Sequence, residues 1–485
     1  MLKPLSYHLL ALAILLPAMN NAHASDNTLP LTLKTAVETA LASNLNLTLR
    51  REDTNIAAGA IDIARSRFDK QLNVDTGVEG SHSTPLYVGG VEDENSARLN
   101  ATVSKQFETG TAVEVGVINS RYDTDVFGIN INPSYKAMVE LGVSQPLMRG
   151  FGRDIQTGQV TAAEIEHTAT IFQVDSTAAD LAALVKKGYW NLVFAWQDIE
   201  VKKFSVSLAR KLLEETEAKI AAGALAEVEI YQPQSEVTRR EEDLIAAEQA
   251  IGLAEDELKL LLNSKDWQTP FTPTDNPSTE PVTLEQEKIL QHALTNRPDL
   301  KAAKMSIEAA KIRQTLAEDD LRPSLNLTGR VGYGGLDDGY GDALDAAIDE
   351  PDTLWQVGLQ LTVPLDNSAA KGSLQQARAI HAQARTNMQL LELDITKSVR
   401  TTVRDIELAI KGMEATRKTS IATKKRLEAE QAKFDAGRST TLDVLIAQES
   451  YARALSQENR TAIFYVQALA ELDRIQGFIT LASSK

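Results

Sequence analysis

The chain contains one structural unit twice. Ala40 aligns with Ala293 at an offset of 253 residues, and Gly223 aligns with Gly437 at an offset of 214. Each copy has the same order of patterns: a helix, β-strands, a long helix, a glycine and a further helix. Such a duplication gives the chain pseudo-symmetry, and closed rings are the usual assemblies in which pseudo-symmetry is used.

The N-terminal residues 1–24 have the pattern of a secretory signal peptide. Lys3 supplies the positive start, residues 9–16 an apolar core, and residues 22–24 a small-x-small cleavage site before Ser25. The apolar core is too short to span a bilayer as an anchor. We therefore expect an exported protein whose mature N-terminus is Ser25.

Composition excludes several classes of function. The chain has no cysteine, which rules out thiol metal sites, cysteine nucleophiles and a lipid-modified N-terminal cysteine. A formal net charge of −17 argues against nucleic acid as a partner. The six histidines are scattered without metal-ligand spacing. We expect no metal, no cofactor and no enzymatic activity.

Six segments alternate apolar and polar residues with a period of two. They lie at residues 72–78, 99–107, 113–117, 139–143, 325–333 and 355–363. Each is about ten residues long, the length of a tilted strand that crosses the apolar zone of a bilayer. A soluble sandwich with one solvated face has the same alternation. The strands alone leave both possibilities open.

The long helical segments have a period of seven. One uninterrupted series runs along the first repeat at Ala178, Val185, Leu192, Ile199, Val206, Leu213 and Ile220. In the second repeat the series has Ser420 as its one polar member. Sustained heptads are typical of left-handed coiled-coil packing, and roughly 70 helical residues extend about 100 Å. Together with export, these helices favour the membrane alternative: a barrel in lipid that continues as a helical tube in water.

These patterns divide the chain into two repeats, a linker and a tail. The predicted segments are a signal peptide (1–24), a first repeat (25–263: helix 34–69, strands 71–147, long helix 152–222, helix 227–263), a Pro-rich linker (264–283), a second repeat (284–477: helix 284–321, strands 324–365, long helix 369–436, helix 440–476) and a C-terminal tail (478–485). The fold class is a mixed α/β membrane protein of two tandem repeats.

Several ordered motifs resemble the TolC-like outer membrane factor family. They are Leu-Thr-Leu at 31–33 with its echo Val-Thr-Leu at 282–284, Val-Ser-Gln-Pro-Leu-Met-Arg-Gly at 143–150, and Ala-Gly-Arg-Ser-Thr-Thr-Leu-Asp-Val-Leu-Ile-Ala-Gln at 436–448 with its copy Ala-Gly-Ala-Leu-Ala-Glu-Val-Glu-Ile at 222–230. Each motif alone is weak, but the doubled and ordered set covers nearly the whole mature chain.

The resemblance implies a homotrimer that forms one β-barrel in outer membrane lipid and one α-helical coiled-coil barrel in the periplasm. It implies a passive exit duct of a tripartite efflux or type I secretion system. Such a duct meets a periplasmic adaptor protein and an inner-membrane transporter. The alternative is a barrel-anchored trimeric coiled coil with a structural or adhesive role.

The number of barrel strands is where the chain departs from the family pattern, which has four strands per chain. The first repeat carries an additional alternating hairpin at 97–121, so six strands per chain are also possible. Because twelve helices would continue the tube, matched diameters favour four strands per chain and twelve per trimer.

The candidate site is the tip of the helical domain. Gly223 and Gly437 break long helices and are predicted to form helical-hairpin turns, since glycine suits the positive φ that ends a helix. The resemblance implies a pore gate there, with Asp443 matching a gate aspartate and Glu229 its equivalent in the first repeat. Two neighbouring residues match the family only approximately: Phe434 stands where the family has a tyrosine, and Arg438 lies one residue out of register with a family arginine. Both are possible gate-latch neighbours. Helix N-terminal capping is the alternative role for Asp443 and Glu229.

Overall fold

A computed structural model describes residues 28–84, 93–126 and 129–478 of the chain. The predicted signal peptide and residues 479–485 of the tail lie outside the described residues. The helices are α1 Leu33–Ser43, α2 Leu45–Arg65, α3 Arg153–Ala221, α4 Tyr231–Leu261, α5 Gln286–Asn296, α6 Pro298–Asp319, α7 Tyr340–Asp349, α8 Ser368–Asp435 and α9 Thr441–Gln476. The strands are β1 Leu29–Leu31, β2 Lys70–His82, β3 Asp93–Gln106, β4 Ala112–Thr124, β5 Ser134–Pro146, β6 Phe271–Pro273, β7 Ser324–Asp337 and β8 Asp352–Thr362.

Six strands form one antiparallel sheet in the order β2-β3-β4-β5-β7-β8. The two repeats meet in this sheet where β5 pairs with β7. The hairpin at 97–121 lies in β3 and β4, inside the sheet. The described sheet of one chain therefore has six strands, the alternative to the preferred four.

Each face of the sheet has one chemical character because the registers keep the period-two patterns aligned. One cross-strand row consists of Leu72, Val103, Val115, Leu141, Val331 and Trp355. A neighbouring row on the opposite face consists of Gln71, Ser104, Glu114, Gly142, Arg330 and Gln356. The side chains of the first row are 42–78% exposed, apart from Val331, so this part of the apolar face is uncovered in one chain.

The long helices α3 and α8 contain 69 and 68 residues and are therefore each about 100 Å long. Both run away from the same end of the sheet, and α4 and α9 return along them. The main core lies where α3, α8 and α9 pack with α1 and α5, and it includes the heptad residues Val185, Leu192 and Ile406. The polar heptad residue Ser420 is buried as well.

Two shorter helical segments are broken where a single helix was predicted. Asn44 ends α1 and caps α2, since its Oδ1 accepts from the backbone N–H groups of Asn46 and Leu47 at 2.9 and 3.2 Å. In the second repeat Pro298 occupies the first turn of α6, which ends α5 at the preceding residues. The predicted helices 34–69 and 284–321 are therefore each two helices.

The linker packs against the helical domain. Its strand β6 pairs in parallel with β1, and Asp275 accepts from the backbone N–H of Leu33 at 2.6 Å. The buried hydroxyl of Tyr189 lies 2.7 Å from Asp275 Oδ2. Among the described residues no helix is both long and apolar enough to cross a membrane.

Candidate functional site

The two long helices end with the same hydrogen-bonded turn. Gly223 has φ +72° and donates to the carbonyl of Ile220 at 2.9 Å, while Ala224 donates to Lys219 at 2.8 Å. In the second repeat Gly437 has φ +69° and donates to Phe434 at 3.1 Å, while Arg438 donates to Lys433 at 2.8 Å. Both turns are Schellman motifs, in which the glycine adopts a left-handed conformation that other residues disfavour.

Asp443 caps the start of α9. Its Oδ2 accepts from the Thr440 hydroxyl at 2.6 Å and from the Thr440 backbone N–H at 3.3 Å, and its own N–H donates to the Thr440 hydroxyl at 3.2 Å. This reciprocal arrangement is a capping box. The hydrogen bonds from the side chain and then the backbone of Thr440 hold the pKa of Asp443 below its usual range. Within one chain Asp443 is thus an ionised, exposed cap.

Glu229 lies in a different local structure. It belongs to the single 3₁₀ turn Glu227–Ile230 that precedes α4, and that turn has no side-chain cap. Glu229 is half-buried, and its backbone N–H donates to Ala226 at 3.0 Å. Within the described parts of the chain, no hydrogen bond or ion pair joins Glu229 to Asp443. The two acids are equivalent in the repeat but not in their local geometry.

Phe434 is a packing residue of the tip. Its side chain is 2% exposed and forms a small core with Leu212, Val444 and Leu445. Arg438, in contrast, is exposed, and its side chain makes no ion pair within the described residues. The structure therefore brings Phe434 against the helix that Asp443 begins, but it leaves Arg438 apart from both acids.

Lys219 connects the two hairpin tips. Its Nζ donates to the backbone carbonyl of Phe434 at 2.6 Å and lies 3.4 Å from the centre of the Phe434 ring. That carbonyl belongs to the last turn of α8, where a cation is favourable. The equivalent residue of the second repeat, Lys433, pairs with Glu430 of its own helix instead. The duplicated tips are therefore linked asymmetrically.

A buried arginine fixes three helices further from the tips. Arg240 of α4 is 2% exposed, and its Nη1 donates to the Ser205 carbonyl of α3 at 2.9 Å and to Gln448 Oε1 of α9 at 3.0 Å. Its Nε donates to Glu236 at 2.8 Å. Burial opposes ionisation of Glu236, but hydrogen bonds from Arg239 and Arg240 hold its pKa below the usual range. The cluster thus links α4 to α3 and to α9, the helix that Asp443 begins.

Sequence reasoning missed several of these residues. Thr440 could have been found, because a threonine three residues before an acid and ahead of an apolar run is the signature of a capping box. Lys219 and Arg240 had no such signal, since the contacts that join them to the second repeat, with Phe434 and Gln448, are made to residues more than 200 positions away in sequence. Among the described residues no group of three or more His, Asp or Glu side chains is arranged to hold a metal ion.

Comparisons with known proteins identify relatives of the same architecture. Residues 289–477 match the family "Outer membrane efflux protein". The outer membrane protein TolC of Vibrio cholerae serotype O1 is 24% identical over 362 residues, which cover 73% of this chain and 81% of that protein. At this identity the relationship rests on the long alignment together with the family match.

Two solved structures have the same fold. The outer-membrane channel OprN superimposes with a TM-score of 0.70 at 15% identity, covering 92% of this chain and 89% of OprN. The outer membrane protein VceC of Vibrio cholerae superimposes with a TM-score of 0.67 at 17% identity, covering 92% of this chain and 96% of VceC. OprN is described as an outer-membrane channel and the matched family as outer membrane efflux proteins, which agrees with the expectation that the chain is not an enzyme. The resemblance to TolC-like outer membrane efflux proteins that the sequence predicted is confirmed by the family match over residues 289–477, by the similarity to TolC and by the shared fold.

Proposed function

We propose that three copies of this chain form the exit duct of a tripartite efflux or type I secretion system. The observation that carries the proposal is an open six-stranded sheet with one uncovered apolar face, joined directly to helices about 100 Å long. Such a sheet is stable in a bilayer only when it is closed into a barrel. The helices then extend the barrel lumen into the periplasm.

Closure requires other copies of the chain. The edge strands β2 and β8 each pair on one side only within the sheet of one chain. Their outward side chains are strongly exposed, including Val78 on β2 and Trp355 on β8. Pairing of β2 with β8 of the next copy satisfies both edges and continues the apolar face. Three copies of the six-stranded sheet then give a barrel of eighteen strands.

The additional hairpin is anchored so that it stays in the sheet. Gln156, at the start of α3, is 3% exposed and contacts the turn between β3 and β4. Its Oε1 accepts from Gln106 Nε2 at 3.0 Å, and its Nε2 donates to the carbonyl of Gly150. Gly110, with φ +91°, packs so closely here that a Cβ would lie 2.9 Å from Pro146. These contacts support eighteen strands, a number at which barrels enclose an aqueous channel.

The helices also carry apolar residues that a single chain leaves uncovered. On α4 these are Ile245, Leu253 and Leu260, and on α8 they are Leu390, Leu393 and Leu408. In a closed helical tube such side chains pack between neighbouring copies. The structural or adhesive alternative has no comparable observation in its favour.

The proposed duct has partners at both ends of the periplasm. The barrel lies in outer membrane lipid, and the helical domain projects into the periplasm. Its hairpin tips meet a periplasmic adaptor protein, and through it an inner-membrane transporter that supplies the energy. The duct itself is a passive conduit.

The gate is assigned to the hairpin tips. Three copies of Asp443, together with three copies of Glu229, its equivalent in the first repeat, would converge on the axis of the tube. A ring of carboxylates favours cations and binds multivalent cations that block the pore. Crowding of the carboxylates would raise their pKa values in the assembled ring, opposite to the effect of Thr440 within one chain. The capping role and the gate role of Asp443 are compatible.

Two variants separate the gate role from the capping role. Asp443→Asn removes the charge but retains an oxygen that can accept from Thr440, so we expect weaker cation selectivity and weaker block by multivalent cations in planar-bilayer recordings. Thr440→Ala retains the charge but removes the cap, which costs about 1 kcal/mol of stability per helix without a change in selectivity. If Asp443→Asn lowers the thermal midpoint and leaves selectivity and block unchanged, Asp443 is only a cap.

Assembly is tested with introduced cysteines, because the chain has none of its own. Leu72→Cys on β2 is combined in turn with Val357→Cys, Leu359→Cys and Leu361→Cys on β8. At one of these registers we expect a disulfide between copies and a covalent trimer on non-reducing gels. A protein that remains a monomer in mild detergent and forms no such disulfide would contradict the proposal.

A further inference from the structure

We propose that α7 is an interfacial anchor that binds the lipid surface on the outside of the barrel, at the rim opposite the helical domain. The inference rests on the proposed barrel. Helix α7 follows β7 at the sheet end remote from α3 and α8, between the alternating segments 325–333 and 355–363. The partner is a lipid bilayer at the level where acyl chains meet the headgroups.

The helix lies on the apolar face of the sheet. Gly335 shares its face with Tyr333 and Val331, and a Cβ at Gly335 would overlap the backbone of Ala343 and Ala347. The Tyr340 hydroxyl donates to Asn119 Oδ1 at 3.0 Å. Gly335 lies on β7 and Asn119 on β4, so α7 packs over β7 and β5 and reaches β4 through the Tyr340 hydroxyl. One strand, β8, separates α7 from the nearer edge at which copies of the chain would meet, and two strands, β2 and β3, lie on its other side.

Three sectors of α7 have different chemistry at 3.6 residues per turn. Ala343 is fully buried against the sheet, and Ala346 and Ala347 are half-buried beside it. One flank carries Leu344 and Ile348, which are 43% and 79% exposed. The other flank carries the exposed acids Asp342, Asp345 and Asp349.

This arrangement fits a helix that lies in the plane of a membrane surface. Such helices bury an apolar flank at the boundary between acyl chains and headgroups and keep the charged flank in water. Leu344 and Ile348 are continuous with the uncovered apolar face of the sheet, whereas the aspartates would be unfavourable in lipid. The exposed Tyr333 and Trp355 lie on the same face, as interfacial aromatic residues do. Lipid is therefore the occupant that satisfies both flanks.

The test uses single cysteines labelled with an environment-sensitive fluorophore in the full-length protein. Ile348→Cys and Leu344→Cys report the apolar flank, Asp345→Cys reports the acidic flank, and Val357→Cys reports the barrel face. The proteins are reconstituted in phosphatidylcholine and phosphatidylglycerol vesicles. Quenching is measured with aqueous iodide and with lipids that carry a doxyl group near the headgroup.

We expect labels at Ile348 and Leu344 to be quenched by the doxyl lipid and to be about threefold less sensitive to iodide than the label at Asp345. If Val357 is quenched by lipid but Ile348 is as sensitive to iodide as Asp345, the anchor inference is wrong and the barrel stands. Protection of Ile348 from both quenchers, with crosslinking between copies, would assign the flank to a second copy and overturn it too. If Val357 is not quenched by lipid, the proposed barrel itself fails.

Discussion

Replacing Gly437 with alanine isolates the backbone cost of the hairpin turn. The φ of Gly437 is +69°, and no atom lies within 4 Å of a Cβ built there, so an added methyl group would meet no neighbour. The only penalty is the left-handed conformation, which costs a residue with a Cβ about 1–2 kcal/mol. We expect Gly437→Ala to destabilise the turn by that amount.

Hydrogen exchange measures this local free energy directly. The amides that report it are those of residue 437, which donates to Phe434, and of Arg438, which donates to Lys433. A loss of about 1–2 kcal/mol lowers their protection roughly 5–30-fold if they exchange through local opening. Gly223→Ala should lower protection at residues 223 and 224 by a similar factor, because its turn has the same bonds.

The matched control is Gly372→Ala in the exposed part of α8, where a Cβ also meets no atom within 4 Å. There the conformation is helical, so alanine should raise local protection by up to about fivefold, equivalent to roughly 1 kcal/mol. Gly437→Asn should cost less than Gly437→Ala, since asparagine tolerates the left-handed region better. If Gly437→Ala leaves protection unchanged or raises it as Gly372→Ala does, the Schellman assignment is wrong.

Two further predictions concern the core of the helical domain. Leu192 is fully buried in the main core, so Leu192→Ala should lower the free energy of unfolding by about 2–5 kcal/mol. Leu192→Asp buries an unpaired charge and should abolish accumulation of the protein in outer membrane fractions. Normal levels of the Leu192→Asp protein would refute the packing. Burial, followed by the hydrogen bond with Asp275, raises the pKa of Tyr189 to about 12. Because the fold favours the neutral phenol, the contribution of Tyr189 to the free energy of unfolding is fully present below the unfolded pKa of about 10. That contribution is lost as pH rises towards 12. The thermal midpoint of the wild type should fall more steeply over that range than that of Tyr189→Phe, and equal slopes would contradict the assignment.

Features with a local cause were predictable from the sequence. The alternation at 325–333, the heptads around Leu192 and the glycine ends of the long helices each depend on side-chain period or on backbone sterics within a few residues. The breaks at Asn44 and before Pro298 have equally local causes, in capping and proline chemistry. They were missed because the apolar pattern continues across both breaks.

Features that depend on distant contacts were not predictable. The hairpin at 97–121 pairs with β2 on one side and β5 on the other, and Gln156 contacts its turn; nothing within the hairpin sequence specifies these partners. Helix α7 is only ten residues long and lies among glycines and acids, so its apolar flank becomes visible only when Gly335 is seen beneath it. At the candidate gate, sequence alignment found Asp443 and Glu229, but their different local structures follow from Thr440, which has no counterpart before Glu229: residue 226 is alanine.

Lys219 offers a test of whether the two hairpin tips are coupled. Its Nζ joins the first tip to the Phe434 carbonyl in the second, and a hydrogen bond from a charged donor contributes about 1.5–3 kcal/mol. Lys219→Met keeps most of the aliphatic stem but removes the donor, so amide protection around Gly437 should fall although the mutation lies in the other repeat. Lys433→Met is the matched control from the equivalent position, where the lysine pairs with Glu430 of its own helix, a contact that contributes at most about 0.5 kcal/mol. We expect Lys433→Met to leave protection around Gly223 unchanged. If Lys219→Met affects only its own turn at Gly223, the tips are independent, and opening of one hairpin need not disturb the other.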